Sequence, residues 1–517
     1  MNTTDFLSIA NAICSERDLM IFEGKRFSFA QTNERANRLA SALSGLGLKK
    51  GDRIGMLQVN CNQYVESYFA SAKIGAIFVP MNFRAKPDEL SYLIANAEVK
   101  ILLVGNRYVS MVEDMLPQLP SLQHIIVIDD KVDGKAFYED IIASGSPDEI
   151  IPEVEDDDIT ILMYTAGTTG RPKGVPLRHS GFASYILENV EPASPDIEER
   201  NLLTVPLNHV AGIQAMLAAV YGGRTLVLMR QFEVKEWMDA VQREKVTRAM
   251  LVPTMLKWVV DHEDFKQYDL SSLKVITYGA APMPLEVITK AIKELSWVRF
   301  INAFGQTETA STITSLGPED HIIEGTEEEQ KKKLKRLTSS IGKPLPDVEI
   351  KIVDENGNTL PPNEVGEILA KGTRIMSGYW NDEEKSSQVM TSDGWLRTSD
   401  QGWIDEDGYV YLAGRTDDMI IRGGENVSPD EVEDVLYSCP KIEEAAVIGT
   451  PHPEWGQEVT AVVALKKGEQ TDKDEIIQFC KPKLAGYKRP AAVIFVDSLP
   501  RNQMGKVLRK QLREQYS

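Results

Sequence analysis

Apolar residues in the first part of the chain alternate between the spacing of helices and the short runs of buried strands. Gly45 is placed to end the first clear helix. The apolar positions of that helix recur at intervals of three and four residues: Ala36, Leu39, Ala40 and Leu43. The segments that follow predict strands over residues 53–57, 76–80 and 100–104 and helices over residues 64–73 and 87–95. Helices that separate short apolar strands indicate parallel sheets with both faces covered.

The pattern changes further along the chain. Strands are predicted over residues 249–252 and 274–277, and from about Lys343 short β-rich segments with turns predict a small β subdomain. After Gly414, the segments are helices over residues 429–437 and 473–484 and strands over residues 444–448, 459–465 and 492–496. We therefore predict an α/β fold. A large N-terminal domain of parallel α/β sheets plus a small β subdomain would span residues 1–414, and a small α+β C-terminal domain would span residues 415–517.

An apolar stretch over residues 202–229 contains no acidic residue and is the segment nearest to a membrane span. Pro206, Gly212, Gly222 and Arg224 interrupt it, among other residues. Because an uninterrupted apolar helix of about 20 residues is needed to cross a bilayer, we predict a buried strand, loop, helix and strand here. We expect no integral membrane segment.

Residues 326–337 are highly charged, which taken alone could indicate disorder. Thr326 and Glu329 have the spacing of a capping box at a helix N-terminus. Three glutamates each precede a lysine by four residues: Glu327 and Lys331, Glu328 and Lys332, and Glu329 and Lys333. These patterns predict a surface helix to which we assign no function.

The composition is that of a globular protein with at least two domains. Of the 517 residues, 42% are hydrophobic and 26% charged, and the net charge is −20. This charge argues against non-specific nucleic-acid binding and means that an ATP site must build its positive field locally. The four cysteines are scattered, the six histidines form no metal-ligand cluster, and the N-terminus lacks an apolar leader. We therefore expect a cytoplasmic protein.

A glycine- and threonine-rich loop follows the apolar residues 159–163. It spans residues 164–174 and reads YTAGTTGRPKG. Glycines let the backbone approach an anion closely, hydroxyl and N–H groups donate to phosphate oxygens, and Arg171 and Lys173 supply positive charge. Because the lysine does not stand in a Gly-Lys-Ser/Thr unit, this is not a Walker A loop. The pattern predicts a phosphate-binding loop.

Three further motifs follow in order: FGQTE over residues 304–308, GRTDD over residues 414–418 and PRNQMGKV over residues 500–507. With the phosphate loop, they resemble the motifs of the adenylate-forming enzymes, which include acyl-CoA synthetases, luciferases and peptide-synthetase adenylation domains. The resemblance extends from about Phe27 to Arg513. It implies that a carboxylate attacks the α-phosphorus of ATP and expels pyrophosphate, and that a thiol then takes the acyl group from the adenylate.

The resemblance implies a role for each motif. Thr307 would contact the α-phosphate, Glu308 would bind Mg²⁺, and Lys506, on a mobile C-terminal domain, would orient the α-phosphate and the carboxylate together. The residues implied in ATP and AMP binding are Thr165, Gly167, Thr168, Thr169, Gly170, Lys173, Gly279, Ala280, Ala281, Pro282, Asn302, Phe304, Gly305, Asp400 and Arg415. Among them, the segment from Gly279 to Pro282 would lie along the adenine, and Asp400 would bind the ribose hydroxyls. The chain departs from the family at Ala166, where a serine is common, and at Ser399, which replaces a glycine.

The second half-reaction implies a further set of residues. Asp417 takes the position of the hinge between the domains, and Gly423 and Gly424 match a loop that lines the pantetheine tunnel; a simple turn is the alternative for these glycines. The residues that match the acyl pocket are His209, Val210 and Gly212. A hydrogen-bonded core histidine is the alternative for His209.

We predict an ATP-dependent, AMP-forming acyl-CoA synthetase, an acid–thiol ligase with ATP, coenzyme A and a small carboxylate as substrates and Mg²⁺ as cofactor. Small residues at Ala211, Gly212, Gly279 and Ala280 would leave space for a medium-chain, aromatic or alicyclic monocarboxylate. We expect no nucleic-acid partner, and a homodimer is possible.

Three alternatives remain open. A free-standing enzyme that loads a carrier protein shares the motifs, and so does a luciferase-like oxygenase. A non-catalytic nucleotide-binding regulator would not need Lys506 and Glu308 together. Members of the family that activate amino acids hold the substrate ammonium with an aspartate near the position of His209. This chain has no acidic residue between Asn201 and Phe232, so the resemblance disfavours amino-acid substrates.

Overall fold

The computed structural model of the protein describes residues 1–151, 153–165, 171–415, 418–422, 425–453, 455–501 and 507–516. Its helices are α1 (Asp5–Cys14), α2 (Phe29–Gly45), α3 (Asn62–Ile74), α4 (Pro87–Asn96), α5 (Val109–Met115), α6 (Tyr138–Ser144), α7 (His179–Asn189), α8 (Val210–Tyr221), α9 (Val234–Glu244), α10 (Pro253–Asp261), α11 (Leu285–Glu294), α12 (Glu327–Ser339), α13 (Glu383–Val389), α14 (Pro429–Tyr437), α15 (Lys473–Cys480) and α16 (Arg509–Tyr516). Its strands are β1 (Asp18–Phe22), β2 (Lys25–Ser28), β3 (Arg53–Leu57), β4 (Ile77–Pro80), β5 (Val99–Val104), β6 (His124–Val127), β7 (Ala136–Phe137), β8 (Ile159–Thr165), β9 (Lys173–Arg178), β10 (Arg200–Leu203), β11 (Thr225–Leu228), β12 (Arg248–Leu251), β13 (Val275–Gly279), β14 (Arg299–Gln306), β15 (Ser311–Leu316), β16 (Ser340–Pro344), β17 (Val348–Val353), β18 (Gly366–Gly372), β19 (Leu396–Ile404), β20 (Val410–Arg415), β21 (Ile420–Arg422), β22 (Glu425–Val427), β23 (Ile442–His452), β24 (Gly456–Leu465) and β25 (Ala492–Phe495).

Two large sheets form the N-terminal part. The seven-stranded sheet has the order β7-β6-β5-β3-β4-β8-β9 and is parallel except at its β8–β9 edge. The thirteen-stranded sheet has the order β17-β18-β19-β20-β16-β15-β14-β13-β12-β10-β11-β1-β2. Read in this order, neighbouring strands from β17 to β14 pair antiparallel. Neighbouring strands from β14 to β1 pair in parallel. Parallel strands require crossover helices, which agrees with the alternation in the sequence.

Burial on both faces explains the continuous apolar runs of the parallel strands. In β5, Ile101 and Leu103 contribute to one hydrophobic cluster, while Leu102 and Val104 contribute to another on the opposite face. A strand alternates its side chains between faces, so only a strand covered on both sides is apolar throughout.

The predicted β subdomain corresponds to β17–β20. These strands share a small core with β16, made of Ile341, Ile352, Ile368 and Val410. Strand β16 pairs with both β15 and β20, so the subdomain continues the thirteen-stranded sheet.

The C-terminal part has its own sheet and its own core. Strands β22, β21, β24 and β23 are adjacent in that order, and β25 pairs in parallel with β24. Within the described residues, the hydrophobic clusters of this part contain only residues from Ile420 onward, and the other clusters contain only residues up to Leu412. The α/β fold with a smaller C-terminal α+β part is thus confirmed, while the boundary at 414/415 stays a prediction.

The apolar segment over residues 202–229 forms β10, α8 and β11, as predicted. No helix in the described part of the chain is long and apolar enough to cross a membrane.

The charged segment forms α12, and Thr326 and Glu329 make the predicted capping box. Two lysines of the glutamate–lysine spacing also have contacts outside the helix. Lys332 pairs with Asp407, and Lys333 donates to the carbonyl oxygen of Ile322 at 2.7 Å. These partners hold α12 against its neighbours, which offers the lysines more fixed acceptors than mobile side chains on the same helix.

Candidate active site

The phosphate loop connects β8 to β9, and β9 is an edge strand of the seven-stranded sheet. Thr165 ends β8 and lies opposite Lys173, the first residue of β9. Arg171 lies over the ring of Tyr92, with 4.9 Å between the guanidinium carbon and the ring centroid. The predicted phosphate ligands between these ends, Gly167, Thr168, Thr169 and Gly170, lie outside the described residues. The pairing of Thr165 with Lys173 therefore places the lysine cation at the base of the loop.

The second motif lies at the end of β14 in the other large sheet. Asn302, Phe304 and Gly305 belong to the strand, and Thr307 and Glu308 begin a short 3-10 helix, Thr307–Thr309. The N–H of Gln306 donates a hydrogen bond to the hydroxyl oxygen of Thr309 at 3.0 Å, and this bond closes the turn. All five predicted site residues are half-buried, so they border a space that solvent or a ligand can enter.

Tyr379, which sequence reasoning missed, connects these two motifs. Its hydroxyl donates to Oε1 of Glu308 at 3.0 Å, and Nζ of Lys173 lies 3.5 Å from the same hydroxyl and 4.6 Å from the ring centroid. The tyrosine is only 9% exposed. The only signal in the sequence is an aromatic pair, Tyr379 and Trp380, directly after Gly378.

The segment expected along the adenine follows β13, which pairs with β14. Ala280 and Pro282 are exposed and Ala281 is half-buried, so their faces are accessible. Ala280 has a φ of +68°, a backbone conformation that costs energy for a residue with a Cβ atom. Strain of this kind tends to lie at functional sites, where the surrounding structure holds it.

Asp400, expected to bind the ribose, lies on β19 and is 4% exposed. Nε2 of Gln306 approaches its Oδ2 at 3.4 Å and donates to the carbonyl oxygen of Thr398 at 3.2 Å, which ties this aspartate to the motif of Glu308. The backbone of Arg415 on β20 lies opposite Asp400. Ser399 has a φ of +61°, which explains why a glycine suits this position in the family.

The predicted acyl-pocket residues lie at the start of α8. His209 is the N-cap residue, Val210 is the first helical residue, and the side chain of Gln214 further along accepts from the N–H of Thr312 on β15. Helix α8 therefore packs beside the strand that pairs with β14.

The expectation that small residues leave space for the acyl group is wrong for two of the four. A Cβ atom on Gly212 would lie 2.4 Å from the carbonyl oxygen of Pro206, and one on Gly279 would lie 2.1 Å from that of Ala303. Backbone fills these positions, so both glycines serve close packing.

A cavity of about 110 Å³ lies between the N-terminal and C-terminal parts. Ala281 and Pro282 line one side, and Arg501 and Val507, which flank the predicted lysine loop, line the other. Lys506 itself lies outside the described residues, as do the predicted hinge and tunnel residues Asp417, Gly423 and Gly424. The described ends of the lysine loop thus share a cavity with the predicted adenine segment.

Charged groups dominate the C-terminal wall of this cavity. Burial, with the negative charges of Asp430 and Glu433, raises the pKa of Asp434 to about 8. Across the cavity, Lys257 of α10 pairs with Glu443 of β23 at 2.5 Å. Burial opposes the charge on Lys257, but its bonds to Glu443 and Asp261 outweigh burial and raise its pKa.

The donors at the second motif suit a hard cation. Glu308 offers a half-buried carboxylate beside the hydroxyl-bearing Thr307. In the part of the chain that the structure describes, no three His, Cys, Asp or Glu residues are grouped to hold a metal by themselves. Mg²⁺ usually takes one or two carboxylates and completes its octahedron with substrate phosphates and water, so this donor set fits it.

Two family profiles match the chain. The profile described as AMP-binding enzyme covers residues 10–380, and that described as AMP-binding enzyme C-terminal domain covers residues 431–506. The chain belongs to the AMP-binding enzymes. This confirms the predicted adenylate-forming family.

Relatives of this AMP-binding enzyme are similar over nearly their whole length. A feruloyl-CoA synthase of Amycolatopsis sp is 33% identical, with 95% of this chain and 94% of the relative covered. A fatty acid–[acyl-carrier-protein] ligase, ScoC, of Streptomyces coeruleorubidus is 32% identical, with 96% and 93% covered. The crystal structure of the anthranilate CoA ligase AuaEII in complex with anthranoyl-AMP has a TM-score of 0.90 and 30% identity, with 100% of this chain and 97% of that chain covered. The predicted class, an AMP-forming acid–thiol ligase, is confirmed.

Proposed function

We propose that this AMP-binding enzyme is an ATP-dependent acyl-CoA synthetase that works through an acyl-adenylate. In the first half-reaction, a carboxylate oxygen bonds to the α-phosphorus of ATP and the bond to the β-phosphate oxygen breaks, which releases pyrophosphate. In the second, the sulfur of CoA bonds to the acyl carbon, the thiol proton is lost and AMP leaves.

The observation that carries the proposal is the meeting of charged groups from two sheets. Lys173 belongs to the edge of the seven-stranded sheet and Glu308 follows a strand of the other, yet both contact Tyr379. A cation and a carboxylate held a few ångströms apart can serve a triphosphate and its metal ion together.

The remaining roles follow from this arrangement and from the family resemblance. Glu308 would hold Mg²⁺, which would neutralise charge on the phosphates, and Thr307 would donate to the α-phosphate. Asp400 would accept from the ribose hydroxyls, and the segment from Gly279 to Pro282 would lie along the adenine. Lys506, which belongs to the C-terminal part, would contact the α-phosphate and the substrate carboxylate and orient them together.

We propose an aromatic or medium-chain monocarboxylate as the acyl substrate and free CoA as the acceptor. The aromatic acids named for the feruloyl-CoA synthase and the anthranilate CoA ligase support the first choice. His209 and Val210 would lie at the mouth of the acyl pocket, and Gly423 and Gly424 would leave room for the pantetheine arm. A cytoplasmic location, a homodimer and the absence of a nucleic-acid partner stay predictions from the sequence.

Loading of a carrier protein is the second candidate. The name of the ScoC relative, a fatty acid–[acyl-carrier-protein] ligase at 32% identity, favours it. Both candidates share the first half-reaction, so only the acceptor distinguishes them.

A carboxylate panel with two acceptors tests the proposal. Pyrophosphate release is measured for aromatic, alicyclic and medium-chain acids, and thioester formation is then measured with free CoA or with a phosphopantetheinylated carrier protein. We expect release with at least one aromatic or medium-chain acid and thioester with free CoA. Thioester with the carrier protein alone would favour the second candidate, and no release with any acid would contradict both.

A further inference from the structure

A short segment between β18 and α13 joins the two candidate phosphate motifs through its backbone. The N–H of Met376 donates to the carbonyl oxygen of Glu308 at 2.9 Å, and the N–H of Trp380 donates to that of Gly174 at 2.8 Å. Trp380 also donates from its indole to the carbonyl oxygen of Asn96 at 3.3 Å. Residues 376–380 therefore bridge the edge of one large sheet and the end of β14 in the other.

The side chain of Tyr379 lies between the charges that these motifs carry. Its hydroxyl donates to Glu308 and accepts from Lys173, while the ammonium also lies against the ring face. A lysine over an aromatic ring is attracted by the ring quadrupole, and a hydrogen bond to a carboxylate is stronger than one between neutral groups. The buried tyrosine thus has two separate attractive contacts, one with each charge.

An intervening phenol changes what Glu308 and Lys173 can do. In direct contact, the carboxylate and the ammonium would neutralise each other and present less charge to a ligand. The hydroxyl of Tyr379 donates to Oε1 of Glu308, so a cation can bind the carboxylate through Oε2 without displacing the phenol.

We propose that Tyr379 is a positioning residue that holds Glu308 for Mg²⁺ and Lys173 for the triphosphate. This inference rests on the proposed function, because it takes the ligand of Glu308 to be the magnesium ion of MgATP. Groups that orient a metal ligand typically contribute 10- to 100-fold to metal affinity.

Tyr379→Phe tests the role, because it removes the hydroxyl and keeps the ring under Lys173. The matched control is Tyr411→Phe: Tyr411 is also buried and its hydroxyl donates to a carboxylate, Asp405, at 3.0 Å, but on β20. ATP binding by the full-length protein is measured by calorimetry over a range of Mg²⁺ concentrations, which requires no turnover. Thioester formation from preformed acyl-AMP is measured in parallel.

We expect Tyr379→Phe to raise the Mg²⁺ concentration for half-maximal ATP binding by about 10-fold. The control should keep the wild-type value, and both variants should convert preformed acyl-AMP at the wild-type rate. An unchanged Mg²⁺ dependence in Tyr379→Phe, or an equal shift in Tyr411→Phe, would overturn the positioning role. Failure of the proposed function would be seen separately, as a wild-type protein that binds MgATP but releases no pyrophosphate with any carboxylate.

Discussion

The N-terminal and C-terminal parts of this AMP-binding enzyme hold their candidate site residues in different ways. In the N-terminal part, most of the described site residues lie on strands β8, β9, β13, β14 and β19 or directly after them, within sheets that have buried cores. The C-terminal part has a core of its own, and the described ends of its lysine loop lie at a charged cavity that the predicted adenine segment also lines.

The difference suggests a division of work between binding and catalysis. Groups that bind a nucleotide benefit from rigid sheets, since preorganised donors need no rearrangement when the ligand arrives. A group that must act in one half-reaction and leave before the next benefits from a unit with a core of its own. Polar interfaces between domains permit such relative motion, and the pair of Lys257 and Glu443 is a contact of this kind.

The largest effect within the N-terminal part should come from Glu308→Gln, which keeps the shape of the side chain and removes its charge. We expect pyrophosphate exchange to fall by about 10²–10³, because an electrostatic contact at the reacting phosphates is lost. The exposed Glu324→Gln is the control and should keep wild-type exchange. Wild-type exchange in Glu308→Gln would contradict the proposal that Glu308 binds the metal ion.

Asp434→Asn should alter how stability depends on pH. The folded pKa of about 8 lies above the ordinary value of 3.8, so between these values the folded state holds a proton that the unfolded state has lost. Stability should therefore fall as pH rises through this window, by at most about 1.4 kcal/mol per pH unit. The charged groups that share the cavity wall with Asp434 are Asp430, Glu433, Glu443, Glu444, Lys257, Arg501 and Arg509.

Urea unfolding at pH 5, 6.5 and 8 measures this effect. The Asn variant should gain stability relative to the wild type as pH rises. A constant difference between the two proteins at the three pH values would contradict the raised pKa.

Lys257→Met should disturb the contact between the two parts. The two side chains of the Lys257–Glu443 pair are 24% and 39% exposed, so solvent screens the pair, which we expect to contribute at most about 1 kcal/mol. We therefore expect the ratio of the two half-reaction rates to change by up to about fivefold. The control is Lys266→Met, because Lys266 faces Glu294 at 3.8 Å within the N-terminal part. An equal change in both variants would exclude a specific role for the interface pair.

Ser399→Gly should have the smallest effect, and it should be favourable. Glycine relieves the positive φ beside Asp400, partly offset by its greater freedom in the unfolded chain, so we expect a gain of about 0.5–1 kcal/mol. Ser387→Gly, in the exposed face of α13, should instead cost about 0.5 kcal/mol. Thermal unfolding of both variants checks the sign, and a loss of stability in Ser399→Gly would contradict the strain at this position.

The sequence predicts the framework of the N-terminal site because its motifs directly follow apolar strands. The runs before Thr165 and Gly279 form β8 and β13 as expected, and each motif follows the carboxyl end of its strand, where ligands bind in α/β sheets. Tyr379 could not be found in this way, because its partners Glu308 and Lys173 are 71 and 206 residues away along the chain.

The error about space at Gly212 and Gly279 has a related cause. A residue type reveals the volume of a side chain but not the backbone that a neighbouring segment places against it. Pro206 and Ala303 fill these positions, and only the fold brings their carbonyl oxygens there.

The most direct test of the division between binding and catalysis separates the two half-reactions in Lys506→Ala, with Lys510→Ala on the exposed face of α16 as control. Pyrophosphate exchange is measured together with thioester formation from preformed acyl-AMP and CoA. We predict that Lys506→Ala loses exchange by at least about 10²–10³ and keeps thioester formation, while Lys510→Ala keeps both. Asp417→Pro should show the opposite pattern, because a fixed φ at a hinge blocks the change of domain arrangement. Equal losses of both half-reactions in Lys506→Ala and in Asp417→Pro would contradict the account.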